Sequence, residues 1–594
     1  MPFGFSHGPL VSLANSAICS FFRQIEVYGA ENVPDHGPII FASSHANMAL
    51  DPAVLSNTIP HGHFLHYWVK DSLFKNPAVG ALLRNAGNIA VDRKTKNNQM
   101  LFRGTFEALA LGESIGVFPE GTSHTEPHMI PLKDGTSWAA LEYVRYLKGT
   151  EENAGPKKGR KAVVIPVGIA YVDKRKYRSR VVVHYGEPIS MDQFEAQFLS
   201  EQEGESKLAV KRLTWMIDIE LKKMTVNAPD WDTAFAAQMA RELLWVRQDD
   251  LALKDYVQVS QTLVDLFTTP TESIQSLKTL LATYHRLLTS SRLSNSVLYG
   301  ISLSSTLDPS IPVSLPNRFS TLFYFIKDTL IVLFHLPFFI VPMLIHIPIY
   351  VVGYLGASLV EEELETQAQM KVVFGLLLSL ITYPILFFVL WSVLKGLALG
   401  VVLAAVTVWG LGRYHGALID ENYNAMKRLI ASWRLLIGIW TPRTSEFPLP
   451  SFLESYKSFA PDPPKVAGLP PTTKPEKYVK PKKLPSRVLV KHVLRTRLEA
   501  AKQLAKVLLE LEARDEQVNA SFWLAEEFSG QVLEVPEDEK GLNEWERNLP
   551  RARRSGKEVV GFLRGRGARL GINRDEEGHW VGSSGGEGEP ESDV

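Results

Sequence analysis

Between residues 36 and 195 the chain alternates short apolar runs with stretches of helical spacing. The runs at 38–42, 64–69, 88–92, 115–118, 162–171 and 180–185 have the length and composition of buried strands, and a further short strand is expected around Ile25–Gly29. Helical patterns fall between them, for example at 98–112 and 136–148. Such alternation restricts the fold to an α/β body, a mostly buried mixed sheet with flanking helices. Pro166 lies inside the run Val163–Tyr171. Proline cannot donate to a strand ladder, so it is expected at a strand start, an edge or a bulge.

The run Ile39–Ala42 ends in a polar turn carrying His45, and Asp51-Pro52 then opens a helix, aspartate as N-cap and proline at the first helical position. A histidine delivered at a strand end, with a carboxylate a few residues on, can be a general base held in one tautomer by its acid partner. This is the charge logic of a serine-protease triad without the serine, so a substrate hydroxyl would be the nucleophile. On its own the pair is equally readable as a structural histidine beside a common helix start.

Two more stretches lie at strand ends. In Gly87–Arg93 the arginine just past a strand offers a cation for a phosphate, or belongs to a solvated turn with Asp92, Lys94 and Lys96. In Gly116–His124, Glu120, Gly121, Thr122 and Ser123 follow a strand; this is either an ordinary turn or a glycine turn whose N–H groups can approach an anion.

Lys+Arg and Asp+Glu each number 64, so no global basic field argues for nucleic acid. Cys19 is the single cysteine, which excludes an intramolecular disulfide framework and a cysteine metal cluster. No secretory signal pattern is visible at the start; residues 9–22 are mildly apolar and fit either a membrane surface or the core.

After the α/β body (1–200) a helical subdomain is expected over 201–310, with 3.6-residue spacing in Ala236–Val246 and Leu277–Leu288. Residues 329–360 and 372–394 are each long enough to span a bilayer, and 396–412 is marginal, giving a transmembrane region over 329–412. Arg318, Lys327, Arg413, Lys427, Arg428 and Arg434 flank its outer ends and the 361–370 linker is acidic, so both outer flanks are expected in the cytosol and the number of crossings is even. Juxtamembrane helices (413–458), a Pro/Lys-rich linker (459–487), an amphipathic helix (488–530) and a mostly disordered tail (531–594) complete the expected organisation. The amphipathic helix could pack on the body, the membrane or a partner.

Taken in order, His45…Asp51, Gly87-Asn88-Ile89-Ala90-Val91-Asp92-Arg93, Phe118-Pro119-Glu120-Gly121-Thr122 and Val164-Ile165-Pro166-Val167 resemble the four blocks of the glycerolipid acyltransferase superfamily. The resemblance covers roughly residues 25–200. The flanking Pro131–Gly135, Asp173–Arg180 and Met224–Asp230 look closest to the fungal glycerol-3-phosphate/dihydroxyacetone-phosphate acyltransferases. There are two departures from the widespread pattern. Five residues separate His45 from Asp51 where four are usual, a longer spacing that resembles the fungal branch, and Ser123 stands where lysophosphatidate acyltransferases often carry an arginine after Gly-Thr.

The resemblance implies acyl transfer from acyl-CoA to the sn-1 hydroxyl of glycerol 3-phosphate or dihydroxyacetone phosphate, with no cofactor and no metal. It implies His45 as base, Asp51 as its orienting acid, and Arg93, Glu120, Gly121, Thr122, Ser123 and Lys133 around the acceptor, with Lys75 a weaker phosphate candidate. It also implies a multi-pass protein of the endoplasmic reticulum membrane with its catalytic domain in the cytosol. The sn-2 step, with lysophosphatidate as acceptor, is the alternative; a non-catalytic membrane scaffold is the distant one.

Overall fold

The computed structural model describes residues 3–91, 102–149, 159–298, 301, 303, 306–310, 315–360, 364–394, 398–441, 486–528 and 552–571. Eight strands form one sheet: β1 (Gln24–Tyr28), β2 (Ile39–Ser43), β3 (Leu65–Lys70), β4 (Ile89–Val91), β5 (Ser114–Val117), β6 (Val163–Tyr171), β7 (Arg180–Tyr185) and β8 (Ile189–Ser190). Their order is β1-β7-β6-β2-β5-β3-β4, with β8 beside β6. All the neighbouring pairs are parallel except β6–β7 and β6–β8. Every strand expected from the sequence is present, within one or two residues at each end, and β2 is buried along its whole length.

Helices cover both faces of the sheet. On one lie α1 (His7–Phe21) and α2 (Leu50–Thr58), which bury Ile18, Phe21, Leu50, Val54 and Leu55 against Phe41, Ile165 and Val183. Beyond α3 (Pro77–Asn85), the opposite face is covered by α4 (Arg103–Ala110), α5 (Gly135–Lys148), α6 (Asp192–Phe198) and α7 (Glu205–Lys223). Ala209, Val210, Leu213, Ile217 and Leu221 place α7, which falls within the stretch expected as a helical subdomain, in this core. A buried leucine or isoleucine of this kind contributes about 1.5–3 kcal/mol, so α7 is an integral layer of the α/β body.

Pro166 sits at neither a start nor an edge. It lies inside β6, paired with Ala42 of β2. On the other side of β6 the antiparallel partner changes at this point, β8 pairing Val163 and Val164 and β7 resuming at Val167. Proline therefore falls in the gap between two partners, where the absent N–H costs no ladder bond.

The helical body contains α8 (Trp231–Leu244), α9 (Tyr256–Leu266) and α10 (Glu272–Ser291). Three apolar helices follow: α11 (Arg318–Ser358), α12 (Leu364–Val393) and α13 (Ala398–Trp440). Among the described residues these three are long and apolar enough to cross a membrane. Gly412 lies against Tyr383 and Gly400 against Trp391, so α12 and the first part of α13 form a hairpin. The chain then returns to the body as α14 (Ser486–Arg514), β9 (Gln517–Ala520) and α15 (Phe522–Glu527). Leu494, Ala501, Leu504, Leu508 and Leu511 of α14 are buried with Leu277, Leu281 and Leu288 of α10, so of the three open destinations for this amphipathic helix the body is the one used.

One expectation is corrected. Within the stretch expected to be mostly disordered, β10 (Ala552–Ser555) pairs antiparallel with β9, and α16 (Gly556–Gly565) buries Val559, Val560, Phe562 and Leu563. Its Arg/Gly-rich flank is used in place: the Arg566 carbonyl accepts the Trp245 indole N–H at 2.8 Å, and the Arg569 carbonyl accepts the N–H of Leu307 at 2.8 Å. At the start of α12, Glu365 accepts from the Thr125 hydroxyl, Gln369 from the Ala49 N–H, and Lys371 donates to the Arg175 carbonyl at 2.6 Å. These polar contacts between distant segments tie the start of α12 to the α/β body. The linker expected at 459–487 lies outside the described residues up to 485.

Candidate active site

β2, an interior strand, ends at Ser43; Ser44 follows it and His45 lies in the turn beyond. Ser44 is locked by two bonds to β6: its N–H donates to the Val167 carbonyl and its hydroxyl accepts the Ile169 N–H, each at 3.0 Å. The turn runs to α2, which places Asp51 in its first helical turn, fully buried. His45 Nδ1 lies 2.9 Å from Asp51 Oδ2, while the imidazole keeps 16% of its surface exposed. With Nδ1–H donated to the carboxylate, Nε2 carries the lone pair of a general base. The ring stacks on Phe118, centroids 4.3 Å apart, which fixes its plane.

Between His45 and Asp51 the turn passes through a left-handed residue, Met48, whose φ is +43°. A left-handed conformation at a residue with a Cβ costs about 1–2 kcal/mol. The gain is a turn tight enough for Asp51 to reach back to His45. The same carboxylate oxygen also accepts the Asn47 N–H at 2.7 Å, and its partner oxygen takes the Tyr171 hydroxyl at 2.6 Å. Burial and the Asp51 charge push the Tyr171 phenol well above its usual range, so it stays a donor.

Glu120, expected against the acceptor, is buried and occupied. One oxygen accepts the backbone N–H of His45 at 2.6 Å, and the other pairs with His124 Nε2. It therefore holds the His45 turn in place. Gly121 (φ +73°) makes the turn that follows. A Cβ at Gly121 would stand 2.6 Å from Lys133 Nζ, and the Lys133 N–H donates to the Pro119 carbonyl at 2.9 Å, so the ammonium and the glycine turn form one unit. Thr122 is exposed, and the Ser123 hydroxyl rests on Met48 Sδ. Together His45, Asp51, Glu120, Gly121, Thr122, Ser123 and Lys133 form one constellation. Arg93 lies outside the described residues. Lys75 pairs with Asp71 at 3.8 Å on the exposed face of the turn before α3.

Lys174 is a residue the sequence reading did not single out. Its Nζ donates to the carbonyls of Ala46 and His124, both at 3.2 Å, and its own carbonyl accepts the Asn47 side-chain amide at 3.1 Å. Burial lowers its pKa, with Glu365, Asp51 and Glu120 opposing that shift. One buried cation thus stitches together the turns that carry His45 and Gly121. Nothing in the local pattern of Asp173–Arg178 signals this role, because the contacts span 50 and 128 residues.

A base held by a buried carboxylate beside a glycine–lysine cradle suits proton removal from a hydroxyl on a small anionic substrate. Residues 24–170 match the family model described as Acyltransferase, so the α/β body is an acyltransferase-family domain. Within that class the chain is similar to two proteins of Saccharomyces cerevisiae. It is 33% identical to Glycerol-3-phosphate O-acyltransferase 2 over 183 residues, 31% of this chain and 23% of the relative. It is 25% identical to Glycerol-3-phosphate O-acyltransferase 1 over 312 residues, 38% of this chain and 40% of the relative. A 1-acyl-sn-glycerol-3-phosphate acyltransferase of Bacillus subtilis is 29% identical over 122 residues, 20% of this chain and 59% of that protein. The chain thus spans well under half of the two yeast relatives' length.

Proposed function

We propose that this protein transfers an acyl group from acyl-CoA to the sn-1 hydroxyl of glycerol 3-phosphate or dihydroxyacetone phosphate, giving lysophosphatidate or its keto analogue. The observation that carries the reading is the His45–Asp51 pair, 2.9 Å apart with the imidazole accessible, beside Gly121 and Lys133. His45 Nε2 takes the hydroxyl proton as the oxygen attacks the thioester carbonyl. Asp51 stabilises the imidazolium. Collapse of the tetrahedral intermediate expels the CoA thiolate, which leaves with the proton held by His45. Lys133 and the Gly121–Ser123 turn receive the acceptor phosphate, joined by Arg93. Acyl-CoA, the glycerol phosphate and the bilayer are the partners of this reaction.

The sn-2 alternative, lysophosphatidate as acceptor, draws on the Bacillus subtilis relative. Against it stands Ser123, which takes the place after Gly121-Thr122 where that branch often has an arginine available to a phosphate, and whose hydroxyl rests on Met48 Sδ. A mixed-acceptor assay decides between them. Detergent-purified protein is offered long-chain acyl-CoA with glycerol 3-phosphate, dihydroxyacetone phosphate or lysophosphatidate. Acylation of the first two supports the sn-1 reading, and reaction with lysophosphatidate alone replaces it by the sn-2 step.

The membrane arrangement belongs to the same proposal. α12 starts at the α/β body, and α13 is back at it where Asp420 holds Arg178 through two bonds of 2.6 and 2.5 Å. Residues 372–393 of α12 span roughly 33 Å at the helical rise, enough for a hydrocarbon core. A hairpin that leaves and returns gives two crossings and keeps the body in the cytosol, at the endoplasmic reticulum membrane, where acyl-CoA and glycerol phosphate are available. Protease accessibility of sealed microsomes tests it: cleavage of the α/β body from outside fits, and protection contradicts.

A further inference from the structure

A cleft of about 470 Å³ opens between the end of β6, α8, α10 and α13. Five cations line it: Arg175 and Lys176 from the loop after β6, Arg292 at the end of α10, and Lys427 and Arg434 from α13. Two carboxylates, Asp173 and Glu242, share the walls, and both have other work. Glu242 accepts from the Asn295 and Gln238 amides at 2.9 Å each, and Asp173 accepts the Arg175 N–H at 3.1 Å. Arg175 meets Asp173 only at 3.9 Å, and among the described residues Lys176, Arg292, Lys427 and Arg434 make no ion pair with a carboxylate. Arg434 donates to the Arg292 carbonyl, and Lys427 lies 3.7 Å over the Tyr423 ring. His285 closes one side, stacked on Phe235 at 3.9 Å, its Nδ1 buried without a hydrogen-bond partner.

Like charges converging from three elements on one concavity repel one another, and an anion bound between them removes that repulsion. A flat basic face would serve a bilayer surface equally well. Here the charges line a concave wall and include three guanidinium groups, whose planar donor forks match phosphate oxygens. None of the cleft residues belongs to the candidate active site. The two are adjacent through one loop: Lys174 faces the His45 turn, while its neighbours Arg175 and Lys176 face the cleft.

We propose that this cleft is a second, non-catalytic binding site for a phosphate-bearing ligand, either the headgroup of an acidic lipid or a free phosphate ester. The site stands on its own residues and does not depend on which acceptor the active site uses.

The test is site-resolved lysine footprinting of the full chain in nonionic detergent, read by mass spectrometry. The probes are orthophosphate, glycerol 3-phosphate, dihexanoyl phosphatidate and dihexanoyl phosphatidylcholine. At ten times its dissociation constant, a bound probe slows acylation of Lys176 and Lys427 by roughly tenfold, leaving the exposed Lys207 unchanged. Protection by orthophosphate and glycerol 3-phosphate identifies a free phosphate ester as the ligand; protection by phosphatidate alone identifies a lipid headgroup. Either protection must weaken in Arg175→Gln, an exposed position whose replacement leaves the fold intact. No protection by any phosphate probe, equal protection by phosphatidylcholine and phosphatidate, or protection unchanged in Arg175→Gln overturns the proposal.

Discussion

The side chain of Gln369, near the start of an apolar helix, accepts the backbone N–H of Ala49 at 3.0 Å, inside the turn that separates His45 from Asp51. Four residues earlier Glu365 accepts from Thr125, just beyond the Gly121 turn. The helix that enters the proposed membrane hairpin therefore touches both loops of the candidate active site before it leaves the body. Ala368, fully buried between these two contacts, packs in the core under α1 and α2.

Gln369→Ala removes one bond to the catalytic turn and touches no substrate. A hydrogen bond of this kind is worth about 0.5–1.5 kcal/mol, so kcat/KM is expected to fall roughly 2- to 12-fold. Apparent Tm should move by no more than a degree or two, and Gln369→Glu, which keeps an acceptor, should retain more activity than the alanine. Equal activity of the alanine variant and the parent would show that the turn is ordered without this helix.

Met48, in the turn between His45 and Asp51, has a left-handed backbone. Met48→Gly removes the strain of about 1–2 kcal/mol and should leave kcat within a few-fold of the parent. Met48→Val places a β-branched side chain at φ +43° and should lower both apparent Tm and kcat. Comparable behaviour of the two variants would contradict the role given to this backbone.

Tyr171 supports Asp51 from the side opposite His45. Tyr171→Phe leaves a buried carboxylate oxygen without its phenolic donor, a loss of about 1–3 kcal/mol, and kcat should drop roughly 5- to 150-fold. Because Tyr171 acts through Asp51, KM for the acceptor should change little. A rise in KM with unchanged kcat would instead place the phenol on the substrate.

Burial, with Arg175 and Arg286 nearby, lowers the His285 pKa from 6.5 to about 3. Between these values the unfolded chain binds a proton that the folded chain refuses, so stability falls on acidification through that window. The slope is of the order of 1 kcal/mol per pH unit. His285→Phe should flatten the decline in apparent Tm between pH 7 and pH 5. An unchanged decline would mean that other groups carry it.

Most of the sheet was legible because buried strands in a parallel arrangement read as continuous apolar runs. Pro166 misled in one respect: its tolerance depends on the change of partner from β8 to β7, which no local pattern records. His45 and Gly121 could be located as residues just past strand ends, and Asp51 as one at a helix start. Glu120 could not be assigned correctly, because its partners, the His45 N–H and His124, emerge only when two loops meet. Lys174, Tyr171 and Gln369 were invisible for the same reason. The folded segment 552–571 escaped because its Arg/Gly-rich composition resembles a solvated tail, whereas Val559, Val560, Phe562 and Leu563 recur at the spacing of one helical face.

The central claim is that His45 is the base, oriented by Asp51, in acyl transfer to a glycerol phosphate hydroxyl. The most direct test compares initial rates of the parent, His45→Ala and Asp51→Asn with glycerol 3-phosphate and long-chain acyl-CoA, each variant checked for an unchanged apparent Tm. The account predicts no measurable transfer by His45→Ala and a loss of about 10⁴-fold in kcat for Asp51→Asn, the size expected when the imidazole is held in the wrong tautomer. A folded His45→Ala variant that retains more than a few per cent of the parental rate would contradict it.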